Sequence, residues 1–247
     1  MLRGVLFLVL LLAAPFLRAQ RWQEAVAVNP ASAPIVVDGV LEEQWFDRAP
    51  AYDLVNHDGS TSNLIVENYL TMFRTLADEE YWYLSFVCSD DEPLATLTGR
   101  DAPIWKEEIC ELMVQCPTGR WLYELSISPR GTVYDARLFW NKYNQFEVDV
   151  AWNFSGILSA VGRLPYPEVP ERCVWTVELA IPWSNIPGGR PVDGGVLKAN
   201  VLRYKRLRNP EFLKLHGSAF LSMNLFATGI KGWPAGPSSF GRFRFFR

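Results

Sequence analysis

The chain has 247 residues, 49% of them hydrophobic and 14% aromatic, with ten tryptophans and a formal net charge of −3. That is enough apolar material for one large core, and a mildly acidic chain offers no basic stripe, which excludes nucleic acid as a partner.

The leader "MLRGVLFLVLLLAAPFLRAQ" places Arg3 ahead of an apolar run from Gly4 to Phe16. The run is short for a membrane span, and Leu17-Arg18-Ala19 forms an imperfect small-residue cleavage pattern. Residues 1–19 therefore read as a signal peptide cut near Ala19, with an uncleaved anchor as the alternative. Residues 20–247 read as a single domain outside the cytoplasm, secreted, periplasmic or on the cell surface.

After a polar lead-in, "IVVDGVLEEQWFDRA" (35–49) holds the turn Asp38-Gly39, then Leu41 and Trp45 at the spacing of one face of a short helix. From there the pattern is β. "NYLTMFRTL" (68–76) and "YWYLSFVCS" (81–89) flank a turn at 77–80 and predict a hairpin. "ICELMVQC" (109–116) and "WLYELSIS" (121–128) flank Pro117-Thr118-Gly119-Arg120 and predict a second. In that hairpin Cys110, Leu112, Val114 and Cys116 share a face with Trp121, Tyr123, Leu125 and Ile127. Glu111, Gln115, Glu124, Ser126 and Ser128 share the other. Further strands are expected at 132–140, 156–162, 173–181, 196–205, 219–226 and 241–246. The pattern predicts an all-β, antiparallel β-sandwich of immunoglobulin-like or jelly-roll type with one short N-terminal helix. Trp45, Trp121 and Trp175 lie on apolar faces and are assigned to its core.

The chemistry-bearing residues narrow the function. Cys88, Cys110, Cys116 and Cys173 form no Cys-x-x-Cys and no Cys/His cluster, which argues against a zinc site. Cys110 and Cys116 are separated by about 20 Å of strand, so they cannot bond each other, and the four thiols either stay buried or find other partners. His57 and His216 are the only histidines, and neither has a nucleophile motif near it. Glu111 and Glu178 are strand carboxylates, but spacing does not set them across a cleft as a glycosidase needs. No glycine loop precedes a helix as a phosphate cradle does. Trp105 and Trp233 stand in loops with Pro or Gly neighbours and suit exposed platforms, on which the C–H face of a sugar ring can pack.

Seven pieces in order then resemble carbohydrate-binding module family 9. They are Asp38-Gly39-Val40-Leu41 through Trp45; "DEEYWYLSFVCSDDEP" (78–93); Trp105, Glu108 and Glu111 of "PIWKEEICELMVQ"; and "YELSISPRG". The last three are Glu178, Ile181 and Pro182; Asn200 and Arg203; and the closing "SFGRFRF". The resemblance implies a non-catalytic sugar-binding β-sandwich of the kind appended to enzymes of polysaccharide catabolism. It implies that Trp105 and Trp233 sandwich the sugar while Glu111 bonds its hydroxyls from an exposed strand face. This chain departs from the pattern where Glu124 and Ser126 replace an arginine and an asparagine, and Leu202 a glutamine. Trp233 also lies one residue further from Phe240 than is usual. A glycan is the expected ligand, with a glycoside hydrolase or cell-surface component as partner. A structural calcium, common in the family, has its candidates in Asp90 and Asp91, which otherwise read as a solvated acidic turn. Two alternatives stand beside sugar binding. One is a b-type haem protein using Met72, Met113 or Met223 with His57 or His216; the other is a structural surface protein with a protein partner.

Overall fold

The computed structural model describes residues 25–56, 63–117, 121–140, 146–165, 169, 172–216, 218–225 and 240–247. The leader, His57 and Trp233 lie outside them. Among the described residues, fourteen strands form two packed sheets. One consists of β1 (Ala25–Pro30), β2 (Tyr52–Asp53), β4 (Thr71–Ala77), β5 (Tyr81–Asp90), β10 (Leu158–Pro165) and β11 (Cys173–Pro182). The other contains β3 (Val55–Asn56), β6 (Ile109–Gln115), β7 (Trp121–Ile127), β8 (Val133–Trp140), β9 (Phe146–Asp149), β12 (Val196–Arg206), β13 (Phe220–Asn224) and β14 (Gly241–Phe245). In space the first runs β10-β11-β5-β4-β1 and the second β14-β12-β6-β7-β8-β9.

The expected sandwich is present, with both hairpins in the predicted places. Ala77 pairs with Trp82 in one, and Gln115 with Leu122 in the other. The sheets are mixed, however, rather than purely antiparallel. β1 runs parallel to β14 from Ala25 to Val28 and parallel to β4 at Asn29 and Pro30, so it passes from one sheet to the other. Its "AVAVNP" sequence alternates, with Val26 and Val28 fully buried. Parallel neighbours leave no turn in the sequence to announce them. Helix is also less confined than expected. α1 (Glu43–Arg48) matches the Leu41–Trp45 reading, but α2 (Asn63–Asn68) and α3 (Pro210–His216) are too short to show a period.

Between the sheets lie Phe73, Phe86, Leu112, Leu125, Trp175, Val177 and Phe243. The outer faces are covered too. Ile104, Ile109, Met113, Tyr134, Leu138, Leu202 and Tyr204 form a second cluster on the β6-β7-β8-β12 face. Trp45 and Ala49 of the α1 segment pack with Leu76, Tyr83 and Ala180 on the other outer face. Trp45 and Trp175 are in the core as expected. Trp121 is not: it is half-exposed at a strand end, against Phe139 at 4.9 Å and under the Arg137 guanidinium at 4.6 Å. Alternation assigns a side chain to a face but does not say how far that face extends. All four cysteines are buried free thiols, and Cys88 Sγ lies 3.5 Å from Cys110 Sγ across the core.

Two buried polar clamps tie together segments distant in sequence. The Glu178 carboxylate accepts from the amides of Asp38 (3.1 Å) and Gly39 (2.8 Å) and from Trp45 Nε1 (2.9 Å). Gly39 has φ +88° and its carbonyl accepts from Thr176 Oγ1 at 2.6 Å, pressed against Gly162. The Asp-Gly turn, the tryptophan and the distant glutamate are thus one structural unit. In the second, the buried Asp90 takes Arg203 (2.5 Å), Lys205 (2.6 Å) and Trp175 Nε1 (3.1 Å), joining the two sheets.

Candidate functional site

The 3-10 turn at Ile104–Lys106 sets the working surface. Side chains on such a turn diverge by about a third of a revolution. Ile104 is consequently fully buried in the outer cluster while Trp105 is 39% exposed. The loop is held from below: Glu107 accepts from the Thr96 amide at 2.7 Å and from the Thr96 hydroxyl. The Trp105 ring meets Tyr134 edge-on, with centroids 4.7 Å apart.

Beside this ring is a groove of about 450 Å³ on the outer face of β6, β7, β8 and β12. Trp105, Tyr134, Tyr204 and Phe220 give it aromatic walls, and Glu111 and Glu124 supply its acidic groups. Glu111 pairs across β6-β7 with Ser126, and Met113 with Glu124, so the two glutamates are diagonal neighbours on one face. Diagonal positions are about 7–8 Å apart, within reach of long side chains. On the other side of β6, Leu202 faces Glu111 directly.

Trp105 and Glu111 therefore line one groove, but Glu111 is not on the exposed face the sequence led us to expect. It is 1% exposed, because the aromatic walls and the Trp105 loop cover it. Glu111 Oε2 accepts from Ser126 Oγ at 3.2 Å, while Oε1 is buried without a partner. Burial, then the charge of Glu124, raises the Glu111 carboxyl well above the usual range, against the Ser126 bond. Burial likewise pushes Glu124 up to about 7. A carboxyl in this state can donate as well as accept. Glu124 is the groove residue whose role the spacing did not reveal. It was visible as a polar residue on the same strand face as Glu111, but alternation could not show that the face is walled in.

Other predicted residues go elsewhere. Glu178 lies on the opposite sheet and serves the Asp38-Gly39 clamp, so it makes no pair with Glu111. Asp90 and Asp91 do not form a solvated turn. Lys205 Nζ donates to Asp90 Oδ1 (2.6 Å), Asp91 Oδ1 (2.9 Å) and Glu108 Oε1 (2.9 Å), placing an ammonium amid their oxygens. Burial opposes the Asp91 charge, but Lys205 more than offsets it and holds the carboxyl well below its ordinary range. No group of three or more metal-binding side chains occurs among the described residues. Met113 and Met223 are buried in different clusters, on opposite faces of one sheet.

No family model matches the chain, and no curated protein does. Solved structures do match. A protein from Bacteroides uniformis described as a "putative carbohydrate-binding protein" aligns with TM-score 0.65 and 16% identity, over 90% of this chain and 99% of that one. A carbohydrate-binding module family 9 domain from Caldicellulosiruptor kristjanssonii, in complex with cellotriose, aligns with TM-score 0.56 and 14% identity, over 90% and 93%. Its complex with glucose gives TM-score 0.54 and 14% identity, over 90% and 96%. The fold is that of a family 9 carbohydrate-binding module. The likeness runs through nearly the whole length of each neighbour. Among the described residues no helix is long and apolar enough to cross a membrane.

Proposed function

We propose that this chain is an exported, non-catalytic carbohydrate-binding domain whose sugar lies in the groove beside Trp105. The observation that carries this reading is the pairing of an exposed tryptophan face with a recessed carboxyl that keeps one oxygen free. A sugar ring needs both: an apolar plane for its C–H face and a fixed partner for its hydroxyls. The family 9 neighbours, solved with cellotriose and with glucose, support it. The reading keeps Trp233, which lies outside the described residues, as the second ring of the grip that the family 9 resemblance implies. A glycoside hydrolase or a cell-surface glycan is the proposed context in which such a module works.

The test is titration with a panel of mono- and oligosaccharides, followed by intrinsic tryptophan fluorescence and calorimetry. Trp105→Ala is expected to weaken binding at least tenfold, with stability lowered by no more than about 1 kcal/mol, since the ring is partly solvated and makes one main aromatic contact. Unchanged affinity in a folded Trp105→Ala protein would sink the reading. Export is tested separately. The mature protein should begin near Gln20, and an N-terminal sequence starting at Met1 would show retention of the leader.

A further inference from the structure

We propose that the groove selects a sugar carrying a free ammonium group, over neutral sugars and over uronic acids. This rests on the sugar-binding reading above and goes beyond it.

The argument begins with what the floor lacks. Glu111 and Glu124 sit diagonally on one face, 1% and 7% exposed, and no lysine or arginine among the described residues bonds either carboxylate. Among the described residues, Glu111 Oε1 is buried with no donor. The remaining groove neighbours carry no compensating charge: β8 presents Tyr134 and Leu138, β9 presents Val148, and β12 presents Leu202 and Tyr204. Among the described residues, cations are confined to the periphery. Arg206 lies over the Phe220 ring at 5.4 Å, and Lys106 is exposed beside Trp105.

A neutral hydroxyl can give Glu111 Oε1 one hydrogen bond but draws on none of the charge that the two carboxyls can develop. An ammonium brings three donors and a positive charge to the same place, and charge-assisted bonds are roughly twice as strong as neutral ones. The walls favour the same ligand. Trp105, Tyr134, Tyr204 and Phe220 offer ring faces or edges around the acidic pair, and a cation against aromatic faces is attracted by their quadrupoles. A uronate would bring a third carboxylate to this floor and be repelled.

The protonation states set a pH signature. Burial keeps Glu124 near 7 and holds Glu111 well above the ordinary carboxyl range, so an arriving ammonium must discharge carboxyl protons. Amines of this type titrate near 8, by analogy with an α-amino group at about 7.7–8.0. Binding is therefore strongest where both partners can be charged. It weakens below about pH 6, where the carboxyls hold their protons, and above about pH 9, where the amine has lost its own.

The experiment titrates the full chain with glucosamine, glucose, glucuronate and choline at about pH 5.5, 7.5 and 9.5, values bracketing these two titrations. Expected at the middle pH is glucosamine binding at least ~10-fold tighter than glucose, glucuronate weakest, and choline undetected, the ratio corresponding to one added charge-assisted bond. The glucosamine preference should follow a bell in pH while glucose binding stays nearly flat. Glu124→Gln should collapse the glucosamine-to-glucose ratio toward one. The wild-type pH profile tests the proposal even if that variant fails to fold. Equal binding of glucosamine and glucose would overturn the amine selectivity and leave the sugar reading standing. Choline bound with neither sugar bound, or no ligand bound at all, would overturn both.

Discussion

Glu124 keeps its proton near neutrality because it sits beneath the groove's aromatic walls and has lost most of its water. The consequence for stability has a definite sign. An ordinary glutamate titrates near 4.5, and here the folded value is about 7, so the folded chain holds a proton that the unfolded chain has released. The stability associated with that proton is complete below about pH 4.5 and is lost as pH rises through about 7. Glu108 acts in the same direction: burial first, then Asp90, pushes it to about 7 despite Lys205. Asp91 acts oppositely, because its depressed carboxyl contributes above about 3.8 and loses that contribution as the pH falls below it. We expect the urea midpoint to fall between pH 5 and 8, with Glu124→Gln removing on the order of 2–3 kcal/mol of that fall. A wild-type and variant pair with parallel pH profiles would show that Glu124 is solvated. The Glu111 position was legible from the resemblance of the Trp105–Glu111 stretch to the family 9 pattern. Its burial was not, because the side chains that cover it come from β12, β13 and the Trp105 loop, all remote from one another in sequence.

At the scale of the element, the Asp38-Gly39 turn shows how a short motif acquires its meaning from a distant partner. Gly39 and Glu178 are 139 residues apart and bonded at 2.8 Å. A Cβ on Gly39 would lie 2.6 Å from the Gly162 nitrogen, and its φ of +88° is strained for any other residue. Gly39→Ala should therefore cost about 2–4 kcal/mol, combining left-handed backbone strain with overpacking. Gly131→Ala is the internal control. Its φ is +84°, but the nearest heavy atom to an added Cβ is 4.0 Å away, so only the backbone cost of about 1–2 kcal/mol is expected. Chemical denaturation of the two variants checks the difference; equal losses would mean that the Gly39–Gly162 contact relaxes freely. Hairpins such as β4-β5 were legible because turn residues and alternation are local. The parallel strand β1 was not, since its partners β4 and β14 lie far along the chain.

Across the whole molecule, the two sheets are held together by an apolar core and by one buried ionic cluster. Arg203 of β12 reaches Asp90 of β5, and also donates to the carbonyls of Tyr69 and Ser89 at 3.0 Å and to Thr71 Oγ1 at 2.9 Å. Both members of the ion pair are fully buried. Removing one leaves the other uncompensated, so Arg203→Met should destabilise by about 3–5 kcal/mol. Asp90→Asn should cost a comparable amount through both Arg203 and Lys205. The double variant should cost less than the two losses added, since each single change exposes the same broken pair. Additive losses in a double-mutant cycle would show that the cluster does not couple the sheets.

The sequence by itself determined the class of fold, the placement of most long strands and the face on which each residue stands. These follow from a period of two and from turn chemistry, which act over a few neighbouring residues. It also singled out Trp105 and Glu111 through their match to the family 9 pattern. Tertiary structure decided the rest. It decided that the outer face of β6 and β7 is walled in rather than solvated, that Glu124 joins Glu111 in one groove, that Glu178 is a clamp, and that Asp90 faces two cations. The reason is physical: a carboxylate's protonation and role depend on who covers it and who faces it. In a sandwich those neighbours come from strands a hundred or more residues away.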